Sequence, residues 1–262
     1  MAQSGRGKIT VFEDFQGAIA QTLTDATQYT FNDVRLAAIS GDVAMDTVVT
    51  APNGIATFSG AGGATDGVSI FTLPMKPSTQ GPLTMQVRFK ASAFTSYGAF
   101  IGFQETVALA EPVNPFTLSV TTLTANNGGN VWGIYYDTAA TTDDWRCMAS
   151  INGVAATTAL NDSNVALGAL GTRVGLTTAP TADKWMYVRV ELDPDGAGRI
   201  YYGDILTDPG NTGPKLVGTI KAGVLSATAL YHPIATLVDP STNDPLHSVD
   251  FFGADGYRDW AY

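Results

Sequence analysis

Along Pro82-Leu-Thr-Met-Gln-Val-Arg-Phe-Lys90 apolar and polar residues alternate without a break. Leu83, Met85, Val87 and Phe89 fall on one side, and Thr84, Gln86, Arg88 and Lys90 on the other. A period of two is the pattern of a strand with one buried face, and the charge on the polar side predicts that this side is solvated. The same alternation runs from Lys184 to Asp193, where Met186, Val188, Val190 and Leu192 oppose Trp185, Tyr187, Arg189 and Glu191. Asp193-Pro-Asp-Gly-Ala-Gly198 follows at once. It offers a fixed φ at Pro194, local side-chain bonding at the aspartates and tolerance of positive φ at the glycines, so the chain can reverse there. Arg199-Ile-Tyr-Tyr-Gly-Asp204 then reads as the second strand of an antiparallel hairpin. The two apolar sets are predicted to face one interior.

Shorter runs of the same kind punctuate the chain. Lys8 to Glu13, Ile55 to Phe58, Val68 to Leu73, Tyr97 to Phe103, Phe116 to Val120, Val131 to Tyr136 and Trp145 to Ile151 each read as a strand bounded by Gly, Pro or Asn. Lys215 to Thr219, Leu230 to Val238 and Ser248 to Phe252, which leads on to Tyr257-Arg-Asp-Trp260, complete the series. Asn152-Gly153 is a two-residue turn signal between Ile151 and Val154. Residues 18–54 carry no readable pattern, and residues 155–183, rich in Ala, Thr and Gly, predict a long excursion of the kind that often serves binding. No internal repeat and no interdomain linker stands out. The many short strands, with signals at both ends, predict an all-β fold: a two-sheet antiparallel jelly-roll sandwich with long loops, in which the terminal strands are integral. The expected organisation is an N-terminal arm over residues 1–8 and a single sandwich domain over 9–262, with a weakly patterned insertion near 155–183.

Composition narrows the functional classes. Charged residues make up 15% of the 262 positions, against about 25% in an average soluble domain. The polar surface must therefore be largely uncharged. With 14 basic and 24 acidic residues the net charge is −10, a sign that repels phosphate backbones and anionic membranes. No run approaches the roughly 20 apolar residues needed to span a bilayer, and the opening Met-Ala-Gln-Ser-Gly-Arg-Gly-Lys lacks the apolar core of a secretion signal, so folding in a cytoplasm is expected. Cys147 is the lone cysteine and excludes an intrachain disulfide. It alternates with Trp145 and Ala149, which favours burial as a small apolar residue over a reactive thiol. Asn161-Asp-Ser163 fits a glycosylation sequon but reads as a loop.

The order of motifs resembles a known family. Trp185 to Val190, then Asp195-Gly196, then Tyr201-Tyr202, followed by Leu230 to Pro233-Ile-Ala and a closing Val249-Asp-Phe251 with Arg258-Asp-Trp260, is similar to the concanavalin A-like lectin/glucanase and laminin G-like jelly rolls. The resemblance spans about residues 55–260. It implies that the late Asp/Phe-containing strand returns beside the N-terminus, and it raises both sugar binding and sugar cleavage as possibilities.

Each chemistry can be tested against the residues. The glucanases of this fold carry Glu-x-Asp-x-Glu on one strand, so that alternation puts the carboxylates on one face. No such triplet exists here; Glu13 and Asp14 point apart, and Glu105 and Glu111 flank a loop-like segment. No glycosidase activity is expected. Asp193-Pro-Asp-Gly and the group Asp137, Asp143 and Asp144 could offer hard oxygen ligands to calcium, but the former lacks a bidentate Glu at loop position 12, where Asp204 stands, and reads as a hairpin turn. His232 and His247 have no Cys nearby for a zinc site, and His232, before Pro233, reads as structural. Ser59-Gly-Ala-Gly-Gly63 lacks the Lys-Ser/Thr of a phosphate loop, and no Gly-x-Ser-x-Gly elbow is present. A lectin site would need an aromatic platform, for which Trp132, Tyr135, Tyr136, Trp145, Tyr201 and Tyr202 are candidates, though aromatics at strand spacing more often fill the core. No catalytic, cofactor or metal site is predicted.

What remains is an acidic, sulfur-poor sandwich with long loops of low charge. In this it resembles virion proteins of tailed bacteriophages, above all capsid decoration (cement) proteins and head or fibre appendages. That resemblance implies a structural protein made in the host cytoplasm and placed on the outer capsid surface, binding the major capsid protein and its own copies as an oligomer or symmetric array. A carbohydrate-binding or host-attachment module on the same fold is the alternative. The contact surface is expected to be mostly neutral, with affinity from apolar burial and hydrogen bonds. The arm at Ser4, Gly5, Arg6, Gly7 and Lys8 is the candidate partner-binding segment, its glycines adaptable and its cations able to meet acidic groups on a neighbour.

Overall fold

The computed structural model describes residues 8–17, 19–25, 27–48, 54–60, 66–105, 107, 115–119, 122–125, 129–138, 143–155, 171–173, 180–203, 214–239 and 246–257. Among them the chain begins with β1 (Lys8–Glu13), β2 (Ala20–Leu23), β3 (Gln28–Phe31), β4 (Val34–Ile39) and β5 (Val43–Thr47). Next come β6 (Ala56–Gly60), β7 (Gly67–Phe71), the one-turn helix α1 (Pro77–Gln80), β8 (Leu83–Ala91) and β9 (Gly98–Gln104). The middle holds β10 (Phe116–Ser119), β11 (Thr122–Ala125), β12 (Val131–Asp137), β13 (Arg146–Ile151), β14 (Val154–Ala155) and β15 (Gly171–Arg173). The last five are β16 (Met186–Leu192), β17 (Gly198–Gly203), β18 (Lys215–Ile220), β19 (His232–Val238) and β20 (His247–Tyr257).

All but β10 and β11, which pair with each other as a separate two-stranded ribbon, form a sandwich of two antiparallel sheets. The larger runs β15-β18-β17-β16-β8-β20-β6-β5-β2, and the smaller β14-β13-β12-β9-β19-β7-β4-β3. Strand β20 is long enough to pair with β6 at its start and with β1 at its end, so the two terminal strands lie side by side, with Lys8 opposite Tyr257 and Phe12 opposite Gly253. The expected hairpin is present: β16 and β17 pair from Tyr187↔Gly203 to Leu192↔Gly198, around a turn in which Gly196 has φ +81°. The expected Asn152-Gly153 turn also forms, with φ of 51° and 79°, the pair of left-handed residues that a tight two-residue connection requires.

The shared interior is the one the alternation predicts. Met186, Val188, Val190 and Leu192 lie opposite Phe89, Val87, Met85 and Leu83 across β16 and β8, and all eight belong to one buried cluster. The opposite side of these strands departs from expectation. Arg88 is nearly buried, because its guanidinium is 2.7 Å from Asp250 and 4.5 Å from the centre of the Trp185 ring. A register shift in β20 between Val249 and Phe251 inserts Asp250 as an extra residue and turns its carboxylate toward that cation. Tyr187 and Glu191 are buried on the same side, so this face is solvated only in part.

Residues 18–54, unreadable by pattern, hold four strands. Leu23 is the one buried residue of β2, and none of β3 is fully buried; four-residue edge strands of that kind carry no alternation to detect. The tract 155–183 contributes the short edge strand β15, while residues 156–170 and 174–179 lie outside the described residues.

The smaller sheet is buried on both faces at its centre. From β9, Ala99, Ile101 and Phe103 enter the interior while Phe100 joins a second cluster on the other side. From β12, Trp132, Ile134 and Tyr136 face in, and Val131 and Tyr135 face out to that second cluster. Phe116 of the β10–β11 hairpin packs there, with ring centres 6.1 Å from Phe100 and 5.7 Å from Tyr135. Burial on two faces is why these strands read as continuous apolar runs.

Close approach between the sheets is set by two glycines. A Cβ on Gly198 would lie 2.3 Å from Nε1 of Trp132, and one on Gly218 would lie 2.4 Å from Sγ of Cys147. Trp132 fills the space under the hairpin and donates its indole N–H to the carbonyl of Glu191 at 3.2 Å. Cys147 is wholly buried, in agreement with its apolar reading.

Two measurements test this core. Phe89→Ala removes a fully buried ring that packs edge-on against Trp145; unfolding in urea should show a loss of about 3–5 kcal/mol from burial and cavity together. His247 is buried beside Tyr97, ring centres 5.4 Å apart, and desolvation pushes its pKa down to about 4. The folded state therefore holds it neutral while the unfolded chain takes up a proton below the ordinary value of about 6.5. Its contribution is complete above pH 6.5 and is lost as the pH falls toward 4, by an amount on the order of 3 kcal/mol. Titrating stability of the natural chain against His247→Leu over that window should show the difference; parallel curves would disprove it.

Candidate functional site

The outward residues of β1, β20, β8 and β16 stand in rows set by the strand register. One row reads Arg189, Gln86, Gly253, Phe12, and the next reads Glu191, Thr84, Asp255, Thr10. Gly253 leaves a gap in the first row. The Gln86 side chain lies over it, since a Cβ there would sit 3.2 Å from both Cγ and Nε2 of Gln86. Beside this gap a polar cleft of about 270 Å³ opens, lined by Lys8, Thr84, Gln86, Arg189, Asp255 and Tyr257 among others.

The hydrogen-bonding groups of the cleft are partly engaged. Tyr187 donates its hydroxyl to Oε1 of Gln86 at 2.9 Å, which orients the amide and leaves its N–H groups as donors. Burial raises the pKa of Tyr187 and keeps it a donor. Lys8 pairs with Oδ2 of Asp255 at 3.0 Å, while Oδ1 of the same carboxylate is buried without a hydrogen-bond partner. Arg189 contacts Oε1 of Glu191, and its guanidinium carbon lies 5.5 Å from the centre of the Tyr201 ring. Exposed aromatic surface borders these groups: Tyr257 is 43% exposed and Phe12 52%, the latter stacked on Phe251 at 5.5 Å. Such a surface can stack on apolar C–H faces and hydrogen-bond polar edges of one ligand.

The predicted aromatic platform is mostly core. Trp132, Tyr136 and Trp145 pack between the sheets, and Tyr135 lies in the second cluster with its hydroxyl 2.5 Å from Oδ2 of Asp137. Tyr202 packs on Trp145, and Tyr201 alone of the six reaches the cleft's surroundings, beneath Arg189. The turn Asp193 to Gly198, whose aspartates could offer oxygen ligands, holds an arginine clamp. Arg199 donates to Oε2 of Glu191 at 2.7 Å and to both oxygens of Asp193 at 2.8 Å, and these bonds hold its pKa above the ordinary value. Asp195 accepts the N–H of Ala197 at 3.0 Å, which completes a plain turn. Among the described residues no group of three or more His, Cys, Asp and Glu could hold a metal ion.

Other singled-out residues have structural partners. Glu105 accepts from the backbone N–H and the side-chain amide of Asn130 at 2.7 and 2.6 Å, and Glu111 lies outside the described residues. Glu13 accepts from the N–H of Phe15 at 2.7 Å and from Asn32 at 2.8 Å, while burial raises its pKa. His232 is 2.9 Å from the carbonyl of Thr72 through Nδ1. Of the arm, Ser4, Gly5, Arg6 and Gly7 lie outside the described residues, and Lys8 meets an acidic group of its own chain, Asp255.

No family model matches the sequence, and no curated protein matches it. Solved structures do match. A protein of unknown function from Shewanella oneidensis MR-1 aligns over 98% of this chain and 90% of its own, at 13% identity and a TM-score of 0.56. Lectin II from Ulex europaeus aligns over 94% of this chain and 98% of its own, at 8% identity and a TM-score of 0.52. Peanut lectin aligns over 95% and 97%, at 9% identity and a TM-score of 0.50. At such identities the likeness shows the fold alone, and the fold is the concanavalin A-like jelly-roll sandwich.

The clamp yields the next test. Arg199→Ala leaves Asp193 without its charged partner and Glu191 with Arg189 alone, so unfolding should show a loss of about 1–3 kcal/mol. Added calcium should leave the melting temperature of the natural chain unchanged. A rise on calcium addition would mean that Asp193 and Asp195 serve as ligands after all.

Proposed function

We propose that this chain is a carbohydrate-binding module that acts by binding and without catalysis, and that its glycan lies on the outer face of the larger sheet. The observation that carries the reading is the cleft itself. An exposed Tyr257, oriented amide donors on Gln86, the hydroxyl of Thr84 and the partly exposed carboxylate of Asp255 stand together on paired strands. Sugars present that combination of apolar faces and hydroxyl edges. The fold shared with two plant lectins supports the reading, as does the engagement of Glu105 and Glu13 in backbone and amide hydrogen bonds. Attachment to a phage shell through the major capsid protein, with a virion location, draws its support from composition, and no feature of this face favours it over a glycan.

The test is a glycan array followed by titration calorimetry on the best binder. Tyr257→Ala and Gln86→Ala should each weaken binding about tenfold, the scale of one stacking or hydrogen-bonding contact. Saturable binding to undecorated capsids with no glycan bound by the array would replace this reading with the decoration one.

A further inference from the structure

The charges of this face are compensated, although the chain as a whole carries −10. The outward side of β1, β8, β16 and β17 holds five cations, and each has a carboxylate in contact. Lys8 pairs with Asp255 at 3.0 Å, Arg88 with Asp250 at 2.7 Å and Lys90 with Asp183 at 3.8 Å. Arg189 pairs with Glu191, and Arg199 bridges Glu191 and Asp193. Five carboxylates answer five cations.

We infer that the glycan this face takes is uncharged, a hydroxyl-rich oligosaccharide without carboxylate, sulfate or amino groups; the inference rests on the carbohydrate-binding reading. A carboxylated or sulfated sugar would need a cation of its own. Drawing Lys8 toward it would strand Asp255, whose side chain is 23% exposed, and drawing Arg189 toward it would leave Glu191, 9% exposed, with Arg199 as its remaining cation. A charge left unpaired in such a place costs more than an exposed ion pair gains. An ammonium-bearing sugar meets the converse difficulty, since Lys8 already stands 3.0 Å from Asp255 and would repel it. A neutral hydroxyl disturbs no pair. It can donate to the accessible part of the Asp255 carboxylate, whose side chain is 23% exposed, and accept from the amide of Gln86, while a pyranose C–H face lies on Tyr257.

The test uses the full chain on an array that carries uncharged, carboxylated, sulfated and amino glycans, read at low and at high salt. Uncharged glycans alone should bind, with affinity that changes less than about twofold with salt, since no ion pair forms or breaks. Asp255→Asn should weaken the uncharged binder about tenfold and, by freeing Lys8, admit a carboxylated one. Thr84→Val, which keeps the shape of the strand face, gives a second reading of the same cleft should Asp255→Asn fail to fold. Selection of carboxylated or sulfated glycans by the natural chain, lost at high salt, would overturn the inference and leave the carbohydrate-binding reading standing. Binding of no glycan would overturn both. Binding of an uncharged glycan with the same affinity after Asp255→Asn and Thr84→Val would remove this cleft as its site.

Discussion

The packing of Trp132 under the β16–β17 hairpin fixes the distance between the two sheets. Its ring occupies the space that a side chain at Gly198 would fill, and its N–H is met by the Glu191 carbonyl within the hairpin. A buried indole with a satisfied donor anchors the strand on both counts, through area removed from water and through a hydrogen bond that would be costly to leave unmade. Cys147 repeats the arrangement one strand away, under Gly218. With β16 held there, the registers Met186↔Phe89 through Leu192↔Leu83 follow, and the apolar sides of both strands close over the interior. The outward sides of the same residues' neighbours then stand in fixed rows, so the geometry of the polar cleft descends from the core beneath it.

The smaller sheet shows why the larger one carries the candidate site. At its centre Phe100, Val131, Tyr135, Met148 and Ile234 turn away from the interior, and Phe116 packs against them in a second apolar cluster. That face is closed by the chain's own side chains. The larger sheet keeps an outer surface on which charged and aromatic groups mix, and mostly buried pairs such as Arg88 with Asp250 hold the long side chains in place. Ion pairs that are largely desolvated add little net stability, but they fix direction, and a binding face gains from groups already oriented before the ligand arrives.

An acidic chain with a neutral face is an electrostatic division of labour. The net charge of −10 keeps copies apart at long range, while the compensated patch presents no field of its own to a ligand. On the carbohydrate-binding proposal, recognition there falls to short-range forces, stacking and hydrogen bonds, whose strength depends on fit and not on salt.

Alternation alone determined much of this protein. The strands β8, β16 and β17, their turn and their inward residues were all legible, because a period of two is imposed by the pleat wherever one face is buried. The Asn152-Gly153 turn was legible because few residue pairs accept two positive φ angles. Four strands within residues 18–54 were not: β2 has one buried residue, β3 has none fully buried, β4 is buried almost throughout and β5 alternates over only five residues, so runs of four to six residues with mixed burial show no steady period. The candidate site divides along the same line. Thr84, Gln86 and Arg189 could be placed on outward faces from sequence, but that Asp255 and Lys8 complete the cleft follows from the pairing of β20 with β8 and β1, contacts between positions more than 160 residues apart for β8 and nearly the whole chain apart for β1. Likewise Trp132, Tyr136 and Trp145 have the composition of a sugar platform, and it is the second sheet, packed over them, that makes them core. Local pattern reports which side of a strand is apolar; which other strand covers it is a long-range matter that the tertiary fold decides.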